Sequence, residues 1–189
     1  DEILMLDTIA KALREKRFTA GAINFDRYEV KFEIDEKGKP ISVYFKESKD
    51  ANKLVEEFML LANRTVAEKI GKAPKGKKPK VLPYRIHDLP DPEKLDNLAQ
   101  FIARFGYRLR TSGTKTDVSK SINHLLDDIQ GKKEENLIET VSIRAMQKAR
   151  YSTHNIGHYG LAFDYYTHFT SPIRRFPDMM VHRLVTRYM

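Results

Sequence analysis

The chain has 189 residues, with 34 Lys and Arg against 26 Asp and Glu, no Cys, no Trp and 41% hydrophobic residues. That length suits one domain or two small ones burying roughly 70% of the unfolded surface, and the abundant Leu, Ile and Phe exclude a disordered tail or a fibre. Without Cys there is no disulfide scaffold, no Cys-ligated zinc or iron–sulfur cluster and no cysteine nucleophile, while a net charge of +8 favours a polyanionic partner.

In chain order, Leu4, Leu6, Ile9, Ala10 and Leu13 share one face of a helix over 3–14. Val30, Phe32 and Ile34 then alternate with charged residues. Lys37-Gly38-Lys39-Pro40 supplies a turn, and Ile41, Val43 and Phe45 alternate again, which predicts a β-hairpin with one buried face. Ser48 or Asp50 can cap the next helix, with Ala51, Leu54, Val55, Phe58, Leu61 and Ala62 as its apolar positions and Gly71 as its stop. Residues 72–80 hold five Lys, two Pro and a Gly, a composition that predicts a solvated basic, flexible loop ahead of a phosphate-tracking one.

A short strand is expected from Val81 to Ile86. Asp91-Pro92 opens a third helix, whose apolar face is Leu95, Leu98, Ala99, Ile102 and Phe105 and whose end is Gly106. Asp117 or Ser119 starts a fourth, carrying Val118, Ile122, Leu125, Leu126 and Ile129 up to Gly131, and a fifth runs from Glu134 to about Lys148. One hairpin followed mostly by helices points to an α+β fold. There is no apolar run of membrane-spanning length and no signal-peptide pattern, so a soluble, cytoplasmic protein is expected. The start at Asp1, in mid-pattern, reads as a piece of something longer.

From Tyr151 the texture changes. Residues 151–163 hold His154, His158, two Gly and several aromatics, and Tyr166-Thr-His-Phe-Thr-Ser-Pro-Ile-Arg-Arg-Phe-Pro-Asp178 follows. Ser171-Pro172 reads as an N-cap with a first-turn proline, where backbone N–H groups would face an anion. Arg174 would add a guanidinium fork, and the Thr170 and Ser171 hydroxyls further donors. Pro177 forces a kink or a fresh helix start. Against this stands the plainer reading of an ordinary Ser-Pro start whose arginine pairs with a carboxylate. Gly157 and Gly160 argue against a helical His154/His158 metal pair, which leaves those rings a structural role. His168 and His182 would buttress the turn, and His87 and His124 carry no informative context.

The run 166–178, with Val181-His182-Arg183-Leu184 after it, resembles the signature of the ribonuclease II/ribonuclease R exoribonuclease family. The likeness extends in order over most of the chain: Gly21 to Asp26, Leu54 to Asn63, Tyr84 to Asp88 with Pro90 to Leu95, and Tyr151-Ser152 with Asn155 to Leu161. The chain is similar to the C-terminal half of the catalytic (RNB) domain, closest to bacterial ribonuclease R. The resemblance implies a processive 3′→5′ hydrolytic exoribonuclease that releases nucleoside 5′-monophosphates with Mg²⁺. Its partner would be single-stranded RNA, with no membrane and no small-molecule cofactor.

By the same resemblance Arg174 holds the scissile phosphate, Glu57 lies near the base path and Phe25 offers a stacking face. Thr170, Ser171 and Arg175 are neighbours in RNA binding. The family's metal-binding Asp cluster lies upstream of the matched region, as do cold-shock domains, and the S1 domain is missing too. Asp127-Asp128 is no substitute, since adjacent helical side chains diverge and flank apolar positions. The chain alone is therefore expected to bind no Mg²⁺ and to cleave no RNA. The alternative is a non-catalytic RNA-binding module from a degenerate member.

Overall fold

A computed structural model describes residues 1–25, 29–46 and 48–189. Among them are α1 (Glu2–Thr19), β1 (Glu29–Ile34), β2 (Pro40–Lys46), α2 (Asp50–Gly71), β3 (Tyr84–Ile86), α3 (Pro92–Ala103), α4 (Lys115–Ile129), α5 (Glu135–Ala145), β4 (Arg150–Ser152) and α6 (Phe176–Tyr188). Two antiparallel two-stranded sheets, β1-β2 and β3-β4, make the fold α+β, as expected. No described helix is long and apolar enough to cross a membrane.

Local chemistry accounts for the helix starts. Asp91 caps α3, its Oδ1 accepting from the N–H groups of Glu93 at 3.0 Å and Lys94 at 3.3 Å, with Pro92 at the first helical position. The fourth helix begins earlier than Asp117 or Ser119. Thr114 is its cap and Asp117 the reciprocal partner, taking the Thr114 N–H on Oδ2 at 2.9 Å. At α2 the cap position is Lys49, whose N–H donates to Asn52 Oδ1 at 3.1 Å.

Two apolar cores result. One joins Ile23, α3, α4 and α5 through Leu98, Ile102, Ile122, Ile129 and Ile138, with Tyr159 at its edge. The other joins α2, the 82–86 segment and α6 through Ala67, Ile70, Leu82, Ile86 and Val181.

Two expectations fail on burial. The hairpin forms in register, Val30 opposite Phe45 and Phe32 opposite Val43, but Val30, Phe32, Ile34, Ile41 and Val43 are each at least half exposed. Strand alternation marks which face is apolar; it does not supply a partner, and among the described residues β1 and β2 pair only with each other. In α2 the buried stripe is Glu57, Leu60, Asn63, Ala67 and Ile70, while Val55 and Leu61 face solvent. Two polar members disguised that stripe in the sequence. Residues 72–80 are exposed and without regular structure.

Candidate functional site

Strand β3 is three residues long and holds both arms of the 150–170 segment. One edge pairs with β4, Arg85 opposite Tyr151. On the other, Tyr84 bridges Thr167, and the Arg85 N–H donates to Tyr166 O at 2.9 Å. Buried Thr167 donates its hydroxyl to Pro83 O at 2.7 Å. Beyond β3, the N–H of His87 donates to Gly157 O at 3.0 Å, and Tyr159 N–H donates to His87 O at 2.8 Å. Gly157 has φ +82°, and a Cβ there would stand 3.0 Å from Phe163 O, so glycine is required.

The rings form a row of edge contacts. His87 meets His158 at 4.9 Å, His158 meets Tyr166 at 5.4 Å, Tyr166 meets His168 at 5.7 Å and His168 meets Tyr151 at 5.6 Å, with Arg85 over the Tyr151 ring at 4.9 Å. Burial, with His87 and Arg85 nearby, pushes His158 down to about 3. Burial, with Arg175 nearby, pushes His168 down to about 4. Both are neutral imidazoles at physiological pH, and Tyr151 Oη and His168 Nδ1 share a hydrogen bond of 2.6 Å. His87, which had no informative context in the sequence, is the hub. Burial lowers its pKa, its Nδ1 accepts the Gly160 N–H at 3.0 Å and its Nε2–H donates to Gln147 O at 2.8 Å.

The turn that follows is pinned from beneath by two helices. From α2, buried Asn63 accepts on Oδ1 from the N–H groups of Phe169 at 2.8 Å and Thr170 at 3.2 Å, and its amide nitrogen donates to Tyr166 Oη at 3.2 Å. From α6, fully buried Asp178 accepts on Oδ1 from Ser171 N–H at 2.8 Å and from Arg175 Nη2 at 2.7 Å. His182 lies flat on Phe169, ring centroids 4.0 Å apart, and its Nε2–H donates to Phe169 O at 2.9 Å.

This geometry corrects the anion-site reading of the backbone. Ser171-Pro172 does not open a helix; α6 begins afresh at Phe176, with Pro177 in its first turn. The Ser171 N–H is spent on Asp178, and the N–H groups of Arg174 and Arg175 turn back to Ser171 O. What the turn offers outward is Arg174. That side chain is exposed, beside a fully exposed Ile173, and its partner among the described residues is Ser171 Oγ at 3.5 Å.

The turn therefore gathers Thr170, Ser171, Arg174 and Arg175, with Arg175 directed inward. Phe25 packs, partly buried, against the α3–α5 core. Glu57 is 3% exposed and forms a buried ion pair with Arg17 of α1, with Arg14 at 3.7 Å. Neither Phe25 nor Glu57 is drawn into the turn. Asn63 and Asp178 went unassigned in the sequence, because the buried α2 stripe that contains Asn63 is out of phase with the helix's most hydrophobic positions. A separate cleft of about 200 Å³, lined by His87, His158, Tyr159 and Lys115 among others, lies off the turn and Arg174 does not line it. Among the described residues no group of three or more His, Asp or Glu could hold a metal ion. Asp128 pairs with His124 at 3.2 Å on the exposed face of α4. The described residues do not bring together the converging carboxylates that Mg²⁺ takes.

A braced turn of this kind defines a domain that presents one cation on a rigid support. The RNB domain family matches residues 1–189, and the chain belongs to it. The chain is 40% identical over 189 residues to ribonuclease R of Aquifex aeolicus, covering 99% of this chain and 26% of that protein. It thus spans about a quarter of the relative's length. Its fold is also similar to Mycoplasma genitalium RNase R, solved in complex with ribose-methylated single-stranded RNA (26% identity, TM-score 0.83, 99% of this chain and 28% of that one). The same relative in complex with double-stranded RNA gives 28% identity and a TM-score of 0.85, over 99% of this chain and 32% of that one.

Proposed function

We propose that this chain is the phosphate-gripping part of a processive 3′→5′ hydrolytic exoribonuclease, the C-terminal part of its RNB domain, acting on single-stranded RNA and releasing nucleoside 5′-monophosphates. The observation that carries the reading is the outward Arg174 on a turn whose backbone N–H groups at 169–171, 174 and 175 are spent internally. A guanidinium so placed makes a two-pronged contact to a phosphodiester and stabilises the charge that grows on its oxygens as the P–O bond breaks. The family and the RNA-bound relatives support RNA as the ligand. In this reading the Mg²⁺ implied by the resemblance is held by carboxylates outside these 189 residues, and the chain by itself grips RNA without cutting it.

The test is fluorescence anisotropy of labelled single-stranded RNA with wild type and Arg174→Ala, followed by a 3′-end degradation assay with Mg²⁺. We expect salt-sensitive binding that weakens about tenfold or more in Arg174→Ala, the size of a lost charge-assisted contact. Binding indifferent to Arg174 sinks the reading. Release of mononucleotides by the chain alone overturns the placing of the metal chemistry elsewhere.

A further inference from the structure

We infer that Asn63 and Asp178 are positioning residues that set the angle at which Arg174 meets a phosphate; the inference rests on the Arg174 reading above. The Arg174 side chain has little to aim it, since a 3.5 Å contact to Ser171 Oγ is at the weak limit of a hydrogen bond. Its direction must come from the backbone of the turn.

Side chains from two helices hold that backbone just before Arg174, and one of them also takes the guanidinium of Arg175 just after it. Asn63 holds the N–H groups of residues 169 and 170 across more than 100 residues of sequence. Asp178 holds residue 171 and the side chain of residue 175. Between the clamps, Pro172 has a fixed φ and no N–H. Asn63 is 3% exposed and Asp178 0%, so neither can touch RNA from where it sits. Asp178 meets Arg175 through Oδ1 alone; Oδ2 and Arg175 Nε are buried without a partner among the described residues. The pair thus has room to close to a two-pronged fork, which would tighten the turn further.

A merely structural role would also cost stability, so the test must separate the two. In the full-length protein, single-turnover 3′-end hydrolysis and RNA Kd are measured for Asn63→Ala, Arg174→Ala and the double variant. We expect Asn63→Ala to slow single-turnover hydrolysis by about tenfold, as misplacement of a catalytic group does, and to add nothing once Arg174 is Ala. Asn63→Asp, which keeps an acceptor for both N–H groups, should recover to within about threefold of wild type even with a lowered Tm. Effects that multiply in the double variant overturn the inference and leave the Arg174 reading standing. An Arg174→Ala variant without effect overturns both. Should Asn63→Ala fail to fold, Asp178→Asn keeps an acceptor for Ser171 N–H, gives up the charge facing Arg175, and runs through the same cycle with the same two outcomes.

Discussion

Burial, at the scale of single residues, decides what the histidines can do. His158 and His168 sit in a row of rings beside Arg85 and Arg175, with pKa values of about 3 and about 4, so both remain uncharged in the fold. A neutral ring can accept on Nδ1, as His158 does from Leu161 N–H at 3.3 Å, and needs no counter-ion. These are scaffold groups that spare the turn a competing positive charge. The consequence for stability has a definite sign. In the unfolded chain such a ring protonates below about pH 6.5, whereas the folded ring stays neutral. The contribution is full above that pH and is lost as pH falls toward 3. Urea unfolding between pH 7 and 4.5 should show stability dropping with acid, and His158→Gln should flatten the slope by about 1 kcal/mol per pH unit below pH 6. An unchanged slope would mean that His158 is accessible to protons in the fold. The sequence indicated a structural His158 because two glycines forbid a helix there. It said nothing of His87, because the partners that make His87 a hub lie 60 and 73 residues away.

Among the elements, what was legible is what a local period can encode. The faces of α3 and α4 are buried as their spacing indicates, Leu98, Ile102, Ile122 and Ile129 nearly completely. Strand β3 lies within the strand expected over Val81 to Ile86, whereas β4, at three residues, has no period to read, and the pairing of the two was invisible before the fold. In α2 the buried stripe contains Glu57 and Asn63, so hydrophobicity selects the wrong phase. The hairpin shows the opposite failure, a clean alternation with nothing over its apolar face among the described residues. Two equally hydrophobic positions should therefore behave differently in this chain. Ile122→Ala empties a site 0% exposed and should cost about 2–5 kcal/mol. Phe32→Thr alters a site 59% exposed and should change stability by no more than about 0.5 kcal/mol. Thermal or urea unfolding of the two variants decides it; an equal loss in both would show that the hairpin face is covered.

Charge at the scale of the whole molecule is spread unevenly along α6. The signature turn enters its N-terminal end, and the basic 72–80 segment is tied to its C-terminal end. There Lys80 Nζ donates to Tyr188 O at 2.8 Å and Tyr188 Oη donates to Val81 O at 3.1 Å. With 13 residues, α6 holds Lys80 about 20 Å from the turn. The Debye length at physiological salt is about 8 Å, so charges at that end are screened from a phosphate on Arg174 by more than two decay lengths. Lys72 is further occupied by Glu68 at 3.4 Å, whereas Lys75, Lys77 and Lys78 are exposed with no acidic partner among the described residues. The net charge of +8 is therefore a poor guide to where a polyanion would lie. Replacing Lys75, Lys77 and Lys78 together by Ala should change the Kd for a single-stranded dinucleotide by less than about twofold, because a strand that short does not reach from the turn to Lys80 at the far end of α6. Arg174→Ala, with one charge removed instead of three, should weaken the same ligand about tenfold. Anisotropy titrations at two salt concentrations compare them directly. A larger loss from the lysines than from Arg174 would move the phosphate path off the turn and onto the basic segment.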